Sequence, residues 1–200
     1  MLRDITFFYL LRGRFEDAAE AARKFVEVDP GFGSLLLSEA LWFGGDLQAG
    51  LAAIQKALAL RPNVNFIHMI HGSMRLVNGE RAVALNAFRL ADTMGLAATP
   101  LGLGYLAWAY SRLGCSEDIP KLLEHLKAFA EEWTVDYGSW AMTQLAAGNH
   151  DEALAALHRA AADKTPGLEV NTGFLAFNIL EDPVLERPEF IEARRALGLG

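Results

Sequence analysis

The chain has 200 residues, 52% of them apolar and 22% charged, with seven prolines and eighteen glycines. That composition buries enough surface to fold and excludes a disordered or low-complexity chain. Its net charge is −7, and residues 101–200 hold the whole excess with fifteen acidic side chains against eight basic ones, which disfavours direct nucleic-acid binding.

The start, "MLRDITFFYLLRGRFEDAAE", has an apolar run broken by Arg12 and Arg14 and lacks the layout of a secretory signal. The longest apolar stretch, "LGLGYLAWAY", is about half the length of a membrane span. Cys115 is the only cysteine, so no internal disulfide forms. These features predict a cytoplasmic protein with no membrane insertion.

Five glycines set the organisation. Gly13, Gly45, Gly79, Gly114 and Gly148 stand 32, 34, 35 and 34 residues apart. Seven residues before each is a small residue: Thr6, Ser38, Gly72, Ala107 or Ala141. Five after stands Ala18, Gly50, Ala84, Ile119 or Ala153, nine after Ala22, Ile54, Phe88, Leu123 or Leu157, and twelve after Phe25, Ala57, Ala91, Leu126 or Ala160. Steps of four and three place the last three columns on one helix face. Each repeat is therefore predicted as two helices joined by a tight turn, with the glycine ending the first at positive φ.

In chain order the repeats fall near 1–30, 31–63, 64–98, 99–132 and 133–165. The first, "YLLRGRFEDAAEAARKFVEVDP", and the second, "LWFGGDLQAGLAAIQKALALRP", are the plainest. The third holds "GSMRLVNGERAVALNAFRLA", the fourth "LAWAYSRLG" and the fifth "AAGNHDEALAALHRA". With a period near 34 and these motifs, residues 1–165 resemble the tetratricopeptide repeat family. The resemblance implies an all-α, right-handed superhelical solenoid of about five repeats. Departures are Gly50 and Ile119 in the alanine column, and Arg75 and Gln144 where the pattern carries tyrosine or another apolar residue. Residues 166–200 form a different segment: "LEVNTGFLAFNIL" predicts a capping helix. The following "EDPVLERPEFIEARRALGLG" is similar to the end of repeat arrays in bacterial transcription regulators and adenylate-cyclase-like signalling proteins. That similarity implies a regulatory or sensor portion of a larger protein as the alternative function, with an upstream domain expected.

Catalytic and metal chemistry finds little support. His68 and His71 share a helix side, yet no third ligand stands nearby, and both are read as packed rings bonded to backbone or water. Gly102 and Gly104 follow no strand, so no dinucleotide site is expected. Glu131–Glu132 and Asp151–Glu152 are adjacent acids that diverge around a helix. We expect no enzyme, no cofactor and no metal.

In the family the first helices of each repeat line a concave face that takes peptides. The columns implied to point inward are Arg3, Leu35, Met69, Gly104 and Gly138; Phe7, Glu39, Ser73, Trp108 and Met142; and Leu10, Trp42, Leu76, Ser111 and Leu145. Only Arg3 is basic among them, so the carboxylate clamp of some relatives is not expected. The implied groove is apolar and aromatic, for a protein or peptide partner, a partner helix or a second copy of the chain. Trp42→Ala or Trp108→Ala would then weaken binding and leave helicity near normal.

Overall fold

A computed structural model describes residues 1–163 and 183–197. Among them every regular element is helical. The chain divides into two compact lobes, Met1–Leu96 and Ala97–Gly200.

The N-terminal lobe holds α1 (Leu2–Leu11), α2 (Phe15–Val26), α3 (Pro30–Phe43), α4 (Leu47–Leu60), α5 (Asn65–Val77) and α6 (Arg81–Thr93). Each pair α1–α2, α3–α4 and α5–α6 packs together; α2 then meets α3, α4 meets α5, and α3 touches both α1 and α5. The C-terminal lobe holds α7 (Pro100–Leu113), α8 (Ile119–Glu132), α9 (Tyr137–Ala146), α10 (His150–Ala162) and α11 (Pro188–Ala196). There α7 packs on α8 and α9, α9 on α10, and α10 on α11.

The turn between paired helices is the same in all five repeats. Gly13, Gly45, Gly79, Gly114 and Gly148 have φ between 67° and 95°, the left-handed region that costs a side chain about 1 kcal/mol or more. Just after each glycine, a backbone N–H reaches the carbonyl five residues earlier: Arg14 to Tyr9, Asp46 to Leu41, Glu80 to Arg75, Cys115 to Tyr110 and Asn149 to Gln144, at 2.8–3.0 Å. These bonds satisfy carbonyls that the helix end leaves open, as in a Schellman motif.

Side chains reinforce three of these turns across the same five-residue step. The Arg14 guanidinium lies 4.6 Å from the Tyr9 ring centre. Arg75 Nη1 donates to both Glu80 carboxylate oxygens at 2.7 and 3.0 Å. Asn149 Nδ2 donates to Gln144 Oε1 at 2.8 Å. The polar residues that depart from the family pattern at 75 and 144 thus close their own turns.

The small columns are contact points. Thr6, Ser38, Gly72, Ala107 and Ala141 are all buried, as are Ala18, Gly50, Ala84, Ile119 and Ala153. A Cβ on Gly33 would lie 2.4 Å from the Val26 nitrogen, so α3 passes against the backbone end of α2. Asp29 and Thr99 accept the N–H three residues on at the starts of α3 and α7, ahead of Pro30 and Pro100.

The fourth repeat corrects one column. A 3-10 turn at Ser116–Asp118 precedes α8, which starts five residues after its glycine rather than two. The helix face is rotated accordingly: Ile119, Leu122 and Leu126 are buried, and Leu123, expected inside, is half-buried. The capping helix expected at 168–180 lies outside the described residues. Beyond it, a 3-10 turn (Pro183–Glu186) leads into α11, which buries Phe190 and Ala193.

Candidate functional site

Burial sorts the inward columns into core and surface. Leu10, Leu35, Glu39, Trp42, Met69, Ser73, Trp108 and Met142 are buried; Phe7, Leu76 and Ser111 are half-buried; Arg3 is exposed. The two tryptophans expected to face an open groove are packed instead, Trp42 at 5% and Trp108 at 3% exposure. Small residues bring the helices close enough to do this. The Gly50 site lies 2.6 Å from the Met74 methyl and 3.3 Å from the Trp42 Cβ. In the C-terminal lobe, a Cβ on Gly104 would lie 3.3 Å from that of Met142. Leu10 joins a core cluster with Ala18, Ala19 and Ala40.

What stays open is the N-terminal end of these columns. Arg3, Phe7 and Leu35 converge on a cavity of about 460 Å³, joined by Phe25, Asp29, Phe32, Leu36 and Phe66. Its walls are mostly hydrocarbon. Asp29 is committed on two sides: one carboxylate oxygen caps α3 by accepting from the Phe32 N–H at 3.0 Å, and the other accepts from Arg61 Nη2 at 2.8 Å. The Phe32 N–H bond is the main reason the Asp29 carboxyl is held below its ordinary pKa, with Arg61 adding to it. Arg61 crosses the start of α3 and lies 4.5 Å from the Phe32 ring centre. This crossing needs Gly31, whose Cβ would sit 2.5 Å from Arg61 Nε. Arg3 pairs with Asp4 at 3.2 Å on the surface, where water screens the pair and makes it weak.

The inward columns named only three of these residues, Arg3, Phe7 and Leu35. A usable signal was present: Phe32 and Phe66 both stand thirteen places before their glycine, in the first turn of a first helix. Phe25 and Asp29 come from helix ends and Leu36 from the middle of α3, and only the packing brings them to one cavity.

The histidines on α5 are structural. His68 Nε2 lies 2.6 Å from the Pro62 carbonyl, tying α5 to the turn before it. His71 Nε2 accepts from Arg75 Nε at 3.0 Å. Burial pushes the His71 pKa down to about 4, and the neighbouring Arg75 charge pushes the same way. No group of three or more His, Cys, Asp or Glu suited to a metal occurs among the described residues. Nor does any described helix have the length and apolarity to cross a membrane.

Glu39 is the unusual polar group of the lobe. It is 5% exposed, and its Oε2 has no hydrogen-bond partner among the described residues. Desolvation raises its pKa to about 8, so the buried carboxyl holds its proton at neutral pH.

These helix pairs and this cavity define an all-α, repeat-like protein. Compared with protein-family models and with curated proteins, the chain matches none.

Proposed function

We propose that the chain is a tetratricopeptide-type interaction module, and that the cavity at the head of α1, α3 and α5 receives an apolar side chain from a protein partner. The observation that carries this reading is a solvent-accessible hollow walled by Phe7, Phe25, Phe32 and Phe66 with an exposed cation, Arg3, on its lining. A fully buried Leu or Phe side chain contributes about 1.5–3 kcal/mol, so one such anchor suits a transient contact. Arg3 would favour partners with a carboxylate beside the anchor. Asp29, Arg61 and Phe32 already hold one another at the cavity wall, which limits the ordering that binding would require of the module.

An anilinonaphthalene sulfonate dye, an apolar ring system with one negative charge, is a suitable probe of this cavity. One saturable site is expected on the intact chain. Phe66→Ala and Arg3→Ala should each weaken it about five- to tenfold, equivalent to roughly 1 kcal/mol or more. Unchanged affinity in both variants would remove the cavity as the binding site.

A further inference from the structure

We propose that the C-terminal lobe carries a separate, cation-selective site, a cavity at the α8–α9 connection that takes a lysine or arginine side chain of a basic peptide. It goes beyond the apolar cavity described above and does not depend on it. The hollow measures about 570 Å³ and is walled by Trp133, Tyr137 and Trp140. Glu131, Glu132 and Glu152 also line it, against one cation, Arg159.

Three observations point to a cation. Trp133 is 65% exposed, whereas Trp42 and Trp108 are buried to 5% and 3%. An indole left in water beside two further aromatic rings offers the negative π-faces that attract ammonium and guanidinium groups. The second is how the rings are held. Trp133 adopts an extended conformation directly after α8, and Asp136 caps α9 by accepting from the Ser139 N–H at 2.8 Å. The Tyr137 hydroxyl donates to the Asp163 carboxylate, which fixes its ring and adds another negative charge nearby. The third is charge. Residues 101–200, within this lobe, hold fifteen acidic side chains and eight basic ones, and Arg159 Nε is turned onto the Ala155 carbonyl at 3.3 Å.

Competing occupants fit less well. A phosphate would meet three carboxylates and a single arginine. A purely apolar group would strip water from those carboxylates with nothing to pair them. A basic side chain satisfies both parts, with its methylene stem against the rings and its charge among the glutamates. The cavity is several times larger than one ammonium group, which favours a peptide over a small free cation.

The test is a tryptophan-fluorescence titration of the full chain with a short glycine-spaced arginine peptide. The glutamate version of that peptide and tetramethylammonium chloride serve as comparison probes. Saturable binding of the arginine peptide is expected, about tenfold weaker in Trp133→Ala and in a Glu132→Gln/Glu152→Gln double variant. It should also weaken on going from about 0.01 M to about 0.15 M salt. Phe66→Ala, which alters only the N-terminal cavity, should bind the peptide as the wild type does. Equal binding of the acidic peptide, or full affinity in Trp133→Ala, overturns the site. Saturation by tetramethylammonium without peptide binding overturns the peptide assignment.

Discussion

Trp42→Ala is expected to destabilise the N-terminal lobe by about 3–5 kcal/mol, the usual cost of removing a buried large aromatic side chain. The indole is 5% exposed and sits 5.1 Å from the Phe43 ring. Its Cβ approaches Gly50, where α4 crosses, and the Met74 methyl fills the same contact from α5. Truncation leaves a hole that three helices border, and the backbone contacts around Gly50 limit how far they can close it. Lobes of this size are stable by only about 5–15 kcal/mol in total, so the loss is a large fraction. Urea unfolding followed by circular dichroism measures it. A loss below about 1 kcal/mol would place Trp42 at an open surface. The same variant thus cannot serve as a clean test of partner binding, and cavity residues such as Phe66 and Arg3 take that role.

The second large effect is a fall in stability toward alkaline pH that Glu39 causes. Its pKa is about 4.5 in an ordinary carboxyl and about 8 in the fold. Between those values the unfolded chain has released this proton and the folded chain still holds it. Stability from this group is therefore complete below pH 4.5 and is lost as pH rises through 8. His71 works in the opposite sense. Its pKa falls from 6.5 to about 4 on folding, so the unfolded chain binds the extra proton between those values. Its contribution is present above pH 6.5 and is lost as pH falls toward 4.

The two effects oppose each other from about pH 4.5 to 6.5, and Glu39 acts alone above that. From pH 6.5 to 8 the wild type should lose on the order of 2 kcal/mol, at 1.36 kcal/mol per pH unit for one proton. Glu39→Gln should flatten this arm, because the amide has no proton to lose. Its absolute stability is less diagnostic, since a buried amide brings its own unpaired donors. Unfolding curves at several pH values check the slopes, and an equal alkaline fall in wild type and variant would discharge Glu39 of the role.

The helix pairing was legible because its cause is local. A glycine that ends a helix at positive φ is required by the turn itself, and the five spaced glycines mark five such turns. Small residues seven places earlier were readable for the same reason. Gly95 also has positive φ, at 85° just after α6, but it stands outside the 34-residue register and carried no signal. Arg75 and Gln144 looked like departures from a family pattern, since their partners Glu80 and Asn149 lie past the turn.

The candidate sites were less legible. The inward columns told which side chains face other first helices, but not how closely those helices approach. That distance depends on contacts such as Gly33 on the Val26 backbone, which join residues from different repeats. Close approach converts Trp42, Met69 and Trp108 from groove to core and leaves open only the ends of the columns. Trp133 was overlooked because it belongs to no column. It follows the last residue of α8, where the regular register has already stopped.

Partner binding depends on which aromatic side chains are packed and which are open to solvent. Acrylamide quenching of variants that each retain one tryptophan, with the others replaced by phenylalanine to keep an aromatic ring in the core and circular dichroism checking the fold, measures this directly. Trp133 should be quenched nearly as freely as indole in water, while Trp42 and Trp108 should be shielded about fivefold or more, in keeping with their burial. Equal and ready quenching of Trp42 and Trp108 would contradict that burial, and would return the inner face to an open groove.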